Sequence, residues 1–448
     1  MQNLLDNLRE YMELLDHRQL REVLHEVPAP ELIEMWPALD SEEAHKIFLL
    51  LKLDQKVDLM RAISLGEQED LLKSLSLDNM RQVFQEMEPD DLVDIIQEVG
   101  PEVRESVWSS LDQEARKETQ FLLKFDEDDA AGLMTPRYLA IRPTITVGQA
   151  ISFIRANGRD VETVYYVYVV DRVKRLLGVV SMKDLFFTDD TVRVEHMMTT
   201  EPTFVYEETD QEDTARTLEA HDLIAVPVLD QYHRLLGIVT FDDIIDVIRE
   251  EQTEDVYKMG AMEGSADVYV QTSVFRLIRK RIPWLIILLL AGTITTNVLH
   301  FFEDVYIGAA FLVLFVPVIT QTGGNSGTQS STLMIRGIAT GEVHLRDTWR
   351  ILVKELAVGL LMGVLLGGVI FLRGVFLPPG IEVFQGLAVG LSLVFVVLLS
   401  SLIGAVAPLL IHKLGFDPTV MAGPLMATVI DLIGLTIYFN VARLLLGL

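Results

Sequence analysis

The stretch Gly237-Ile238-Val239-Thr240-Phe241-Asp242-Asp243 decides how this chain is divided, because Gly178-Val179-Val180-Ser181-Met182-Lys183-Asp184 has the same pattern. Each has a glycine, two β-branched residues, a hydroxyl residue, and an aspartate three positions after the hydroxyl. Met134-Thr135-Pro136 stands 44 residues before the first copy, and Met198-Thr199 precedes the second. A recurrence of this length marks one duplicated supersecondary unit, read as β-α-β-β-α. Ala225-Val226-Pro227-Val228-Leu229-Asp230 lies ahead of the second copy. A hydroxyl with an aspartate three residues on fits a helix N-terminus, where both can satisfy free backbone N–H groups.

Toward the N-terminus the pattern changes. From Leu39 to about Phe125 a unit near twelve residues recurs, with breaks at Leu53-Asp54, Leu65-Gly66, Leu77-Asp78, Glu88-Pro89, Gly100-Pro101 and Leu111-Asp112. Each unit opens on a turn or capping residue and continues with apolar positions at helical spacing, which predicts an α-solenoid. The opening segment, Met1 to Leu24, reads as charged helix with no apolar signal-peptide core.

Toward the C-terminus, Asp242 to Asp255 places Asp243, Asp246, Glu250 or Glu251, and Glu254 at i, i+3 and i+4 intervals, a carboxylate stripe along a linking helix. Like charges at that spacing call for a cation or a basic partner. Glu88, Asp90, Asp91 and Asp94 form a second acidic set in the solenoid. Beyond Arg281 come five apolar stretches, near Trp284–Phe302, Tyr306–Thr322, Leu352–Leu372, Leu387–Leu410 and Val420–Leu446. A helix needs about 20 apolar residues to cross a bilayer, so five transmembrane helices are expected. Arg276, Arg279, Lys280 and Arg281 precede the first, and Arg336, Arg346, Arg350 and Lys354 follow the second. The positive-inside tendency then puts the N-terminus in the cytoplasm and the C-terminus outside.

Charge is segregated along the 448 residues. The first 275 hold 57 acidic against 26 basic side chains, and the remainder is slightly basic. Such a surface repels phosphates, which argues against nucleic acid as a partner and favours cations. The chain has no cysteine, which excludes disulfides and thiolate sites. The available ligands are oxygens, the donors that hard cations such as Mg²⁺ and Ca²⁺ select. No P-loop, nucleophile elbow or histidine-rich metal motif points to an enzyme.

Within the apolar part, Asp431 lies inside the fifth stretch, in Gly423-Pro424-Leu425-Met426-Ala427-Thr428-Val429-Ile430-Asp431. An ionised group at that depth costs at least about 2.5–3.5 kcal/mol, so it should face water or a partner. The second stretch is interrupted by Thr322-Gly323-Gly324-Asn325-Ser326-Gly327-Thr328-Gln329-Ser330-Ser331-Thr332. Three glycines and a run of polar side chains lead us to expect an opened backbone there, with freed carbonyls as oxygen ligands. Pro424 is expected to free a further carbonyl near Val420.

The duplicated unit resembles the CBS-domain pair, on the two G-h-h-[ST]-x-x-D tails and the 225–230 segment. That resemblance implies that Ser181 with Asp184, and Thr240 with Asp243, can hold the ribose of an adenine nucleotide such as ATP. Taken whole, the chain resembles the MgtE family of magnesium channels, on the G-G-N-x-G-x-Q stretch of helix two and the P-L-x-A-T-x-x-D stretch of helix five. The expected architecture is multidomain: all-α solenoid (1–130), an α/β CBS-domain pair (131–194 and 195–252), a connecting helix (253–281) and a five-helix transmembrane pore domain (282–448).

The family likeness implies a homodimer in the plasma membrane with one Mg²⁺ pore on its axis. Asp431 would bind the ion, with Ala427, Gly423, Asn325 and the Gly324 to Gly327 turn around it. The family often has Asn where this chain has Gly423. It also implies closure by cytoplasmic Mg²⁺ held among Asp90, Asp94, Asp210, Glu212, Asp222, Asp243, Asp246, Glu251, Glu254 and Asp255, with Asp417 meeting the linking helix. The alternatives are an ion-coupled secondary transporter of divalent cations and a non-transporting magnesium receptor.

Overall fold

The computed structural model describes Arg9 and residues 17–159, 161–263, 272–378 and 380–448. Most of the opening helix expected from Met1 lies outside the described residues. The chain forms two compact units, Met1–Arg249 and Glu250–Leu448.

Among the described residues the first unit opens with nine α-helices: α1 (His17–Glu26), α2 (Ala29–Met35), α3 (Ser41–Leu50), α4 (Leu53–Ala62), α5 (Leu65–Ser74), α6 (Leu77–Glu86), α7 (Pro89–Glu98), α8 (Pro101–Ser110) and α9 (Gln113–Leu122). From α4 onward each helix has ten residues, and two residues separate it from the next. The helices α4 to α8 each stop at an apolar residue in extended conformation, Ile63, Leu75, Met87, Val99 and Leu111, whose side chain turns into the core. The restarts use ordinary capping chemistry: Ser76 accepts from Asn79 N, Asp112 accepts from Glu114 N and Ala115 N, and Pro89 and Pro101 occupy the first turn. Alternate helices pack together, α4 on α6, α6 on α8 and α7 on α9, around one continuous apolar core.

The duplicated unit follows as two three-stranded sheets of identical topology. The first copy is β1 (Ala140–Ile141), α10 (Val147–Asn157), β2 (Tyr166–Val170), β3 (Leu176–Ser181) and α11 (Met182–Phe187). The second is β4 (Val205–Tyr206), α12 (Gln211–Ala220), β5 (Ala225–Leu229), β6 (Leu235–Thr240) and α13 (Phe241–Met259). In each, the first strand runs parallel to the second and the third pairs antiparallel with it, with a register irregularity at the equivalent points Val169/Val170 and Val228/Leu229.

The copies exchange edges. Thr135 trades both backbone hydrogen bonds with Ile238 of the second copy, and Thr199 does the same with Val179 of the first. This explains the motif glycines: a Cβ on Gly237 would lie 2.7 Å from Thr135 O, and one on Gly178 2.6 Å from Thr199 O. Only a residue without a side chain lets the Met-Thr segment approach the sheet.

The linking helix α13 begins at Phe241, directly after β6, and ends at Met259. This corrects the expected 253–281 helix. Its N-terminus is fixed by the end of the strand, and Gly260 accompanies its end.

The second unit contains α14 (Val274–Phe301), α15 (Glu303–Gly308), α16 (Phe311–Ala339), α17 (Thr348–Phe376), α18 (Val383–Lys413) and α19 (Gly423–Leu446). Four of these, α14, α17, α18 and α19, are long and apolar enough to cross a membrane. The fifth long helix, α16, has 29 residues and carries the polar run 321–332. That run is continuous helix, which corrects the expected break. Glycine lowers helix propensity by about 1 kcal/mol, but packing overrides it here. A Cβ on Gly323 would press on Val396 of α18, and one on Gly327 would overlap Ile430 of α19. Gly404 of α18 likewise meets the Gly327 carbonyl. Gly359, Gly363 and Gly367 of α17 form a similar seam against Leu398, Val394 and Gly390 of α18.

Candidate functional site

Three groups of candidate residues are described in turn. Both G-h-h-[ST]-x-x-D tails lead into helices, and Ser181 caps α11. Ser181 Oγ accepts from Asp184 N at 3.0 Å and donates to the Asp184 carboxylate at 2.7 Å; Thr240 Oγ1 donates to Asp243 at 2.5 Å. The copies differ in surroundings. Asp184 is exposed, whereas Thr240 is buried and Asp243 faces an acidic cluster.

That cluster lies within the first unit, where the start of α7 meets the start of α13. It holds Glu88, Asp90, Asp91, Asp242, Asp243 and Glu162, the last from the loop before β2. One cation enters it: Arg61 lies 2.9 Å from Asp91, 3.1 Å from Glu88 and 3.9 Å from Asp243. Asp90 is 7% exposed, and its Oδ1 is buried with no hydrogen-bond partner among the described residues, as is Glu162 Oε2. Burial, reinforced by Asp243, Asp91 and Glu88, holds the Asp90 carboxyl well above its usual range. Burial pushes Asp91 up to about 8, against the pull of Arg61, and pushes Glu162 to about 8 with help from Glu88. Asp243 rises to about 6, again chiefly through burial. Such a cluster is stable only when protons or cations offset its charge.

Sequence spacing brought Asp90 and Asp243 into consideration and missed Arg61 and Glu162, which come from distant loops and helices. The other acids predicted to bind a regulatory ion lie on the following elements. Asp94 is exposed on α7. Asp210 caps α12, Glu212 pairs with Arg216 at 2.7 Å, and Asp246 pairs with Arg249 at 3.2 Å. Asp222 has φ +51° in the turn before β5. Glu251, Glu254 and Asp255 lie on α13. Among the described residues no three His, Cys, Asp or Glu side chains are arranged to hold a metal ion.

In the second unit, the end of α13 docks on the connection between α18 and α19. Lys258 Nζ lies 2.9 Å from Glu254 and 2.8 Å from Asp417. Asp417 also accepts from Thr419 N and Oγ1. Burial opposes its ionisation, but Lys258 and Thr419 outweigh that and hold the carboxyl below its usual range. Gly423 has φ +55°, and a Cβ there would run into the Met259 carbonyl. Gly423 therefore meets the linking helix, and it stands eight residues, about 12 Å of helix, from Asp431. This corrects its expected place beside the carboxylate. Pro424 sits in the first turn of α19, where a missing N–H costs nothing, so it opens no carbonyl inside the helix.

Asp431 itself is partly buried on α19. The Cβ position of Gly324 is 3.6 Å from Ala427 Cβ and 3.9 Å from Asp431 Oδ1, so α16 and α19 bring these three residues together. Gly327 does not join them; it packs on Ile430. Asn325 is exposed, in line with Gln321, Gln329 and Thr332 at helical spacing. This exposed polar stripe lies on the same helix as Gly324 and differs from the apolar surfaces of the neighbouring helices.

Fold and site together define an integral membrane protein in which a helical bundle with an embedded carboxylate is joined to a solenoid and a CBS pair. Family comparisons match residues 316–441 to MgtE, described as a divalent cation transporter, residues 27–128 to the MgtE intracellular N domain, and residues 130–188 and 194–250 to the CBS domain. The chain is 40% identical over 449 residues to the magnesium transporter MgtE of Thermus thermophilus, covering 98% of each. It is 34% identical to that of Enterococcus faecalis over 73% of this chain and 71% of the relative. Among solved structures, the cytosolic domain of the Mg²⁺ channel MgtE in complex with ATP aligns with TM-score 0.52 and 38% identity, over 54% of this chain and 98% of that one. The chain belongs to the MgtE family of magnesium transporters.

Proposed function

We propose that this protein is a Mg²⁺-selective channel that admits magnesium to the cytoplasm and closes when cytoplasmic Mg²⁺ is high. The observation that carries the pathway is the meeting of Asp431, Ala427 and Gly324 beside the polar stripe of α16. A hydrated Mg²⁺ needs oxygen acceptors and keeps several waters, and one carboxylate with an open polar face suits it. Because that stripe is unpacked in a single chain, a homodimer with its axis along α16 and α19 completes the path. The N-terminus is cytoplasmic and the C-terminus outside.

Closure uses the acidic cluster. At high Mg²⁺ the cation, drawn to the negative field around Asp90 and Asp243, offsets its charge, stabilises the packing of solenoid against CBS pair, and favours the docked linking helix. At low Mg²⁺ the unpartnered carboxylates repel and the packing loosens. The ion must bind the compact state more tightly for this to hold. The functional divisions remain 1–130, 131–194, 195–252 and 282–448, with the linking helix between. Adenine nucleotide, as in the ATP-bound relative, fits the exposed Ser181–Asp184 tail better than the acidic Thr240–Asp243 one, since a triphosphate would meet the cluster's negative charge.

The deciding experiment is Mg²⁺ influx into proteoliposomes of the wild type and of Asp431→Ala, with no other ion gradient. Flux in the wild type that the variant loses supports the channel. Wild-type flux only in the presence of a second gradient means a coupled transporter, and none at all means a receptor.

A further inference from the structure

We infer that Glu355 is a positioning residue for the cation path: its hydrogen bond to Ser330 sets the rotation of α16 that turns Gly324 toward Asp431. The inference rests on Asp431 as the ion's ligand. Glu355 is the eighth residue of α17, is 7% exposed, and accepts from Ser330 Oγ at 2.9 Å. No Lys, Arg or His pairs with it among the described residues. A carboxyl enclosed in this way depends on the Ser330 hydroxyl, because removing that donor leaves a buried acceptor unsatisfied.

It belongs to a buried polar seam. Ser326 Oγ lies 2.9 Å from Ser401 Oγ, and the Cβ position of Gly359, one turn along from Glu355, is 3.2 Å from Ser401 Cβ. Ser326, Ser330, Ser401 and Glu355 thus join α16, α17 and α18 through side-chain oxygens.

The reason rotation needs such a fastening is local. Beside Asp431, α16 presents Gly324, which provides no side chain to interlock with α19. A glycine face packs closely but slides and turns easily, so directional bonds must fix the angle. Ser326 and Ser330 share one side of α16, and Gly324 is about a third of a turn away. With that angle fixed, Gly324 meets Ala427 and Asp431 while Asn325 and Gln329 stay on the open face.

The absence of native cysteine makes the test direct. Single cysteines at Asn325 and, separately, Gln329 are labelled in proteoliposomes with a membrane-impermeant thiol reagent, in wild-type, Glu355→Ala, Glu355→Gln and Ser330→Ala backgrounds. Mg²⁺ and Ca²⁺ influx are measured without the cysteines. Glu355→Ala should slow labelling about tenfold, the effect of losing one buried hydrogen bond, raise KM for Mg²⁺ and narrow the preference over Ca²⁺. Glu355→Gln, neutral and of the same shape, should restore both to within about twofold. Ser330→Ala should act in the direction of Glu355→Ala and keeps the test available if that variant does not fold.

Unchanged labelling and KM in both Glu355→Ala and Ser330→Ala overturn the inference. So does a Gln variant as impaired as Ala, because that outcome makes the charge of Glu355 the working feature. A variant that loses only the maximal rate, with KM and labelling intact, has a purely structural role at this site and also overturns it. If wild-type protein carries no flux, the channel reading fails, while labelling still decides the positioning role.

Discussion

Lys258 of the linking helix places its ammonium 2.8 Å from the carboxylate of Asp417, which caps the turn leading into the helix of Asp431. The contact ties the end of α13 to the entrance of α19 by a direct ion pair. Both side chains are about one third exposed, so solvent screens the pair and its contribution is modest. Lys258→Met should raise Mg²⁺ flux at intermediate internal Mg²⁺ about two- to fivefold, from about 0.5–1 kcal/mol of lost docking. Flux at low internal Mg²⁺, where the proposed channel would already be open, should not change. A variant equally closed at every Mg²⁺ concentration would show that the pair does not hold the gate.

The acidic cluster predicts a pH dependence with a definite sign. Asp91 and Glu162 bind protons up to about pH 8 in the folded state, against about 4 in the unfolded chain. Between those values the folded state holds more protons, so stability falls as pH rises through about 4 to 8. In calorimetry of the full chain without divalent cations, the transition of the solenoid–CBS unit should move to lower temperature across that window. Mg²⁺ should restore it at pH 8 and do little at pH 5, where protons already offset the charge. A transition that instead rises with pH would contradict the burial of these carboxylates.

Two glycines one turn apart on α16 should respond differently to the same change. Gly324→Ala meets Ala427 at an ordinary contact distance, so the protein should fold and show altered Mg²⁺ affinity beside Asp431. Gly327→Ala collides with Ile430 and should cost about 1–3 kcal/mol of stability, read as a lower yield of monodisperse protein and a lower Tm. Equal stability of the two variants would mean that α16 does not pack as described.

Nucleotide binding should follow the exposed tail. Asp184→Ala should weaken ATP binding at least about tenfold in titration calorimetry, since it removes a charged acceptor. Thr240→Val should leave ATP affinity unchanged. The reverse result would move the ligand to the second copy.

What the sequence determined by itself is what periodicity and composition encode locally. The twelve-residue solenoid repeat follows from caps and apolar spacing, and the duplication from its two glycine-led tails. The membrane helices follow from apolar length. Asp431 stood out because one carboxylate in an apolar run has no local explanation. Tertiary structure decided the rest, because those features depend on which faces meet. Gly324 and Gly327 are three residues apart and chemically identical, yet one faces the carboxylate and the other packs on Ile430. The glycine-rich run of α16 reads as a break by propensity, and it is helix because α18 and α19 press against it. Arg61, Glu162 and Asp90 are far apart in sequence, and Glu355 meets Ser330 only through the packing of α17 on α16. No local pattern encodes such pairs: partners at long separation are chosen by burial, which requires each enclosed charge to find a cation, a proton or a hydroxyl.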